Sequence, residues 1–126
     1  MRLFSFALLS ALLGFNSSVS AEKLHSISAQ EAANLQTEKK AIIIDVREDS
    51  EWQAEHIAGA IHIPLKQLEE RLAELKPYQN EKIITQCRSG MRSAKAAELL
   101  QSSGFNNVYN MEGGLNAWQK QGLKVE

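Results

Sequence analysis

The segment Ala41-Ile42-Ile43-Ile44-Asp45-Val46 is almost wholly apolar on consecutive positions. A strand with one wet face alternates apolar and polar residues, so a continuous run marks a strand covered on both faces. The rest of the chain supplies the covers. Lys23 to Ile27 reads as a short first strand. Ser28-Ala29-Gln30-Glu31 is a capping-box pattern that opens a helix to about Gln36. Asp49 or Ser50 is expected to cap a short helix through Glu55. Ala60 to Ile63 reads as a strand ended by Pro64. Leu65, Leu68, Leu72 and Leu75 recur at helical spacing and predict one helix, with a turn at Pro77 to Asn80. Lys82-Ile83-Ile84-Thr85-Gln86 predicts a strand that runs into Cys87. A helix is expected from about Arg92 to Ser102, with Gly104 behind it as a C′ glycine. Asn107 to Met111 predicts the last strand, Glu112-Gly113-Gly114 a turn, and Leu115 to Gln121 a last helix ended by Gly122. Strands alternating with helices imply parallel pairing through crossovers. The expected fold class is α/β: a small three-layer sandwich around a mostly parallel sheet of five strands.

The first residues have a different character. Arg2 precedes an apolar run from Leu3 to Phe15, and Val19-Ser20-Ala21 fits a small-residue cleavage rule. This predicts a signal peptide over residues 1–21, with one domain over 22–126. The run falls short of the roughly 20 apolar residues needed to span a bilayer. No second apolar run follows, so after cleavage no membrane role is expected. Export, with the periplasm as destination, is the localisation this predicts. Arg2 is the only charged residue of the leader; without it, 13 of the 14 basic residues face 15 acidic ones. That balance, and the lack of any long basic run, argues against nucleic acid as a partner.

Cys87 is the single cysteine. Exported proteins usually pair their cysteines, and this one has no partner within the chain. It is an inert buried thiol, an intermolecular link or a reactive group. Its surroundings favour the last. Cys87-Arg88-Ser89-Gly90-Met91-Arg92-Ser93 lies between a buried strand and a helix, where parallel sheets bind ligands. The loop amides and helix start favour an anion. Gly90 admits a backbone conformation that side chains hinder. Arg88 and Arg92 add positive charge, while Met91 is expected to offer its backbone N–H. All of this predicts a thiolate at Cys87 and an oxyanion held by Arg88, Ser89, Gly90, Met91 and Arg92.

This loop resembles the active-site loop of single-domain rhodaneses. Ile44-Asp45-Val46-Arg47-Glu48 resembles that family's early Asp-Val-Arg strand end. His56 to Pro64 resembles its second motif, and Gly113-Gly114 with Ala117-Trp118 its closing motif. The resemblance spans nearly all of the chain after the leader. It departs in the second motif, at Glu55, Ala58 and His62, away from the loop. The resemblance implies a thiosulfate sulfurtransferase. A Cys87 thiolate takes the outer sulfur of thiosulfate or a similar small anionic donor, sulfite leaves, and a thiol or cyanide acceptor removes the sulfur from the persulfide. Such covalent catalysis needs no metal and no organic cofactor. Two other readings stand beside it. The domain could be a persulfide carrier serving a protein sulfur acceptor, with little small-molecule turnover. A cysteine phosphatase shares the strand–Cys loop–helix arrangement, but its loop is one residue longer and usually has His before the Cys, where this chain has Gln86.

Asp45 and Arg47 are expected near Cys87 if their strands are neighbours. They read as supporting residues for the site or, with greater weight, as a charge network that fixes the fold. His56 reads as a residue that satisfies backbone groups rather than a general base. His25 and His62 have no partner by spacing and read as surface or filler. Trp52 and Trp118 read as packing residues.

Overall fold

Period-two alternation divides the isoleucines of the central runs between two cores. In the computed structural model, which describes residues 23–126, Ile43 and Ile84 face one side of the sheet and Ile44 and Ile83 the other. The expected leader, residues 1–21, lies outside the described residues.

The elements follow one another as β1 (His25–Ile27), α1 (Ala29–Thr37), β2 (Ile42–Asp45), α2 (Asp49–Ala54), β3 (Ile61–His62), α3 (Leu65–Leu68), a 3₁₀ segment (Glu69–Tyr78), β4 (Ile83–Gln86), α4 (Met91–Ser102), β5 (Val108–Met111) and α5 (Gly114–Lys120). The five strands form one sheet in the order β1-β5-β4-β2-β3. Every pairing is parallel, so the sheet is wholly rather than mostly parallel. Ala29, Ala32, Ala33, Leu115 and Trp118, from α1 and α5, cover one face. Leu68, Leu75, Ala96, Ala97 and Leu100, from α3, the 3₁₀ segment and α4, cover the other. Both faces of the central strands are therefore dry, which is why they tolerate no polar alternation.

The Ser28 capping box forms as expected: Ser28 Oγ accepts from the Glu31 amide at 3.1 Å, and the Glu31 carboxylate accepts from the Ser28 amide at 3.4 Å. At α2 the expectation is corrected. The N-cap is Glu48, not Asp49 or Ser50, and the Glu51 carboxylate reaches back to the Glu48 amide at 3.0 Å. A second correction concerns the leucine stripe. It builds a short α-helix and then a 3₁₀ segment, with a break at Arg71 (φ −111°, ψ 15°), and runs through Pro77 where a turn was expected. The three-residue steps of the stripe suit a 3₁₀ turn as well as an α-helix, and Pro77 lacks the N–H that a continued α-helix needs.

Chain order sets the position of the site. From β2 the chain moves outward to β3, and from β4 it moves the other way to β5. The order reverses between β2 and β4, which pair directly with Asp45 opposite Gln86. Ligand crevices in parallel sheets open at the carboxyl ends of the strands at such a switch point. Cys87 is the first residue past the carboxyl end of β4.

Candidate active site

Cys87 has 1% of its surface exposed, at the floor of the loop that joins β4 to α4. The loop turns back on its own sulfur. Gly90 donates its amide to Cys87 Sγ at 3.1 Å, and takes φ +114° to do so. This is a left-handed conformation that glycine enters without strain. Ser93, in the first turn of α4, places its hydroxyl 3.3 Å from the same sulfur. Burial pushes the Cys87 thiol up. The Ser93 hydroxyl and the amides of Ser93, Gly90 and Ser89 outweigh it and hold the pKa below the ordinary thiol value. These hydrogen bonds, rather than the two arginines, lead the shift.

The hydroxyl of Ser93 has one hydrogen and two acceptors in reach. Asn110 Oδ1 lies at 2.6 Å, nearer than the sulfur. Asn110 is itself oriented by its Nδ2, which donates to the Gly90 carbonyl at 3.1 Å. The geometry suits a thiol that donates to Ser93 while Ser93 donates to Asn110. On ionisation the Ser93 hydrogen can turn to the sulfur. Sequence reasoning passed over Asn110. Its position opposite Thr85 on the strand next to β4 was the available signal, but it required the strand order. Replacing Ser93 by Ala removes the donor and leaves the burial. The midpoint of Cys87 alkylation by iodoacetamide against pH is expected to move upward; an unmoved midpoint would mean that Ser93 serves Asn110 alone.

The last helix holds the loop from behind. Leu115 and Asn116 donate their amides to the carbonyls of Cys87 (2.8 Å) and Arg88 (3.0 Å). Gly114 allows this approach: a Cβ there would lie 2.6 Å from the carbonyl carbon and oxygen of Arg88.

The arginines are placed differently from one another. Arg88 is partly exposed, with Nη1 3.4 Å from Asn116 Oδ1. Arg92 donates through both Nη atoms to the Glu51 carboxylate, at 2.7 and 3.0 Å. Arg88 Nε lies 3.8 Å from the same carboxylate. Arg92 and the Glu48 amide hold the Glu51 pKa at about 2, against the smaller opposing effect of burial. Glu51 was not among the residues expected at the site. Ser89 is exposed, and Met91 is 75% exposed, so its side chain does not pack on the loop.

Asp45 ends the strand beside β4 and Arg47 follows two residues later, but they engage each other. The Asp45 carboxylate accepts from the Arg47 amide (2.9 Å), from Nε (3.0 and 3.1 Å) and from Nη2 (2.9 Å). Arg47 Nη2 also donates to the Glu55 carbonyl at 2.8 Å, and both side chains are fully buried. This is the charge network of the structural reading.

His56 has Nδ1 2.9 Å from the Trp52 carbonyl and Nε2 3.3 Å from a Glu126 carboxylate oxygen, as suits a residue that satisfies its neighbours. His62 is not filler: its Nε2 lies 2.8 Å from the Arg47 carbonyl. Both imidazoles stack on the Trp52 indole, with centroids at 3.7 and 4.7 Å. His25 meets Tyr109 at 5.3 Å. Trp118 is buried and donates Nε1 to the Lys124 carbonyl, away from the loop.

A thiol cradled by amides at a sheet switch point suits more than one chemistry, and comparison with known proteins distinguishes them. A model of the rhodanese-like domain matches residues 28–121. The chain belongs to the rhodanese-like domain family. Thiosulfate sulfurtransferase PspE of Escherichia coli is 41% identical over 70 residues, which cover 56% of this chain and 67% of that protein. The Bacillus subtilis protein YrkF, named as a candidate sulfur carrier, is 36% identical over 106 residues, or 83% of this chain. The chain spans 56% of the length of YrkF and 62% of that of a second Bacillus subtilis relative. Among solved structures, a rhodanese-related protein from Thermoplasma volcanium superposes with a TM-score of 0.74 at 33% identity, covering 81% of this chain and 97% of that one. The wholly parallel five-stranded sheet is thus a rhodanese-like fold, and the relatives of this domain include sulfurtransferases and sulfur carriers.

Proposed function

We propose that this domain is a sulfurtransferase that moves a sulfane sulfur, from thiosulfate or a similar donor to a thiophilic acceptor, through a persulfide on Cys87. The observation that carries this reading is the pair of donors on Cys87 Sγ, the Gly90 amide at 3.1 Å and the Ser93 hydroxyl at 3.3 Å. They favour the thiolate that must attack. The same loop amides can stabilise a terminal persulfide anion one bond further out.

In the first half-reaction the Cys87 thiolate attacks the outer sulfur of thiosulfate. The new Sγ–S bond forms as the S–S bond to the sulfonate sulfur breaks, and its electron pair leaves on sulfite. In the second, cyanide or a thiolate attacks the terminal sulfur, and the pair returns to Cys87. Arg88, with the amides of the segment from Ser89 to Arg92, receives the charged end of the donor. Neither step needs a metal or an organic cofactor. Four residues separate Cys87 from Arg92. This supports a cradle sized for sulfur rather than for the phosphate of the longer phosphatase loop.

A second reading, a persulfide carrier with a protein acceptor, draws support from the likeness to YrkF. Thiocyanate production from thiosulfate and cyanide, with intact-mass detection of one added sulfur, separates the two. A sulfurtransferase turns over and carries the added mass, and Cys87→Ser abolishes both. Added mass without turnover identifies a carrier. The absence of both signals from folded, reduced protein overturns the proposal. We propose in addition that residues 1–21 direct export to the periplasm with cleavage after Ala21; N-terminal sequencing of protein from that compartment tests this.

A further inference from the structure

The two arginines of the loop already face an anion. The Glu51 carboxylate takes two hydrogen bonds from Arg92 at 2.7 and 3.0 Å and lies 3.8 Å from Arg88 Nε. It is also tied to its own helix, through the Glu48 amide at 3.0 Å. The carboxylate is therefore fixed, not a side chain that swings free when a ligand arrives. Two arginines and one carboxylate leave a single net positive charge next to Cys87, and both Nη groups of Arg92 are engaged. A thiosulfate dianion meets Arg88 and the loop amides, but also the repulsion of Glu51. A donor with one charge meets about half of that repulsion.

We propose that Glu51 is a specificity-determining residue, whose carboxylate, held between Arg92 and Arg88, biases the site against dianionic sulfur donors and toward singly charged ones such as organic thiosulfonates. The proposal rests on the sulfurtransferase reading and narrows its donor class. Chemistry with such a donor balances as it does with thiosulfate. The Cys87 thiolate takes the outer sulfur of R–SO₂–S⁻, the S–S bond breaks, and its electron pair leaves on the sulfinate R–SO₂⁻. Arg92 and the Glu48 amide hold the Glu51 pKa at about 2, so the carboxylate is charged at neutral pH.

The test compares Glu51→Gln with the wild-type domain, using cyanide as acceptor and either thiosulfate or ethanethiosulfonate as donor. The readout is the ratio of kcat/KM for thiosulfate to that for ethanethiosulfonate. A changed thiolate fraction or a loosened loop moves both donors together and cancels in this ratio. Removing the charge is expected to raise the ratio about tenfold, the size of one unscreened charge contact of roughly 1.4 kcal/mol. Glu51→Asp keeps the charge and is expected to leave the ratio near the wild-type value. An unchanged or lower ratio in Glu51→Gln, or an equal rise in Glu51→Asp, overturns the proposal and leaves Glu51 as a strut for Arg92. A second readout needs no turnover: protection of Cys87 from iodoacetamide by sulfate, with methanesulfonate as the singly charged control. Sulfate is expected to protect Glu51→Gln at about tenfold lower concentration, and equal protection in both proteins overturns the proposal. If the wild-type domain transfers no sulfur yet shows this sulfate difference, the sulfurtransferase reading fails while the role of Glu51 as an anion competitor stands.

Discussion

Arg47→Leu is expected to destabilise the domain by about 3–5 kcal/mol, enough to lower the thermal midpoint by more than roughly 10 °C. Arg47 is fully buried, and its guanidinium is the charge partner of an equally buried Asp45. Leucine fills part of the space but leaves the Asp45 carboxylate with only the Arg47 amide, at 2.9 Å, among the contacts it now has. An uncompensated buried charge costs more than its pair contributed. The pair itself is not ideal, because Arg47 Nη1 is buried without a partner. The double variant Asp45→Leu with Arg47→Leu should therefore lose less stability than Arg47→Leu alone. Urea denaturation of the two proteins checks both statements. Were Arg47 instead a receiver of substrate, the single variant would keep its stability and lose only sulfur loading.

Gly114→Ala is expected to cost at least about 3 kcal/mol and to slow sulfur loading of Cys87 by roughly a hundredfold. Two effects add. Gly114 has φ +55°, in the left-handed region, where alanine is strained. Its new Cβ would also meet the Arg88 backbone at 2.6 Å, closer than any Cβ is normally found. Either the loop or the start of α5 must move. Moving α5 removes the amides that hold the Cys87 and Arg88 carbonyls at 2.8 and 3.0 Å. Moving the loop shifts Sγ relative to Gly90 and Ser93. Gly122→Ala is the control, since Gly122 also has a positive φ, +79°, but open space around it. It should cost only about 1 kcal/mol and leave loading unchanged. Equal effects from the two variants would mean that backbone conformation, not the close approach, is what Gly114 supplies.

Much of the architecture was legible in the sequence. Five short strands alternating with helices, a dry central run at Ile42 to Ile44 and the Ser28 capping box follow from local rules, because each depends on residues within one or two turns of each other. The leucine stripe was the local misreading. Leu65, Leu68, Leu72 and Leu75 are spaced as an α-helical stripe, but the backbone breaks at Arg71 and the segment from Glu69 to Tyr78 is 3₁₀. Cys87 and its loop were legible for a related reason. A lone cysteine, a glycine and a helix start within seven residues already contain the proposed nucleophile and most of its amide donors.

Everything that reaches that loop from elsewhere in the chain required the tertiary structure. Glu51 is 41 residues from Arg92, Asn110 is 17 from Ser93, and the carbonyls of Cys87 and Arg88 are held by residues 28 positions further on. Local sequence carries the thiol, because a thiol is a property of one residue. The charge around it is a property of which strands are neighbours. The order β5-β4-β2 places Asn110 and the segment after Asp45 on either side of Cys87. That placement gives Arg92 a partner in Glu51 that the sequence did not name, and it closes Asp45 with Arg47 into the buried charge pair that carried the greater weight in the sequence. Coulomb interactions fall with distance and rise with burial, and both quantities come into existence only when the chain has folded.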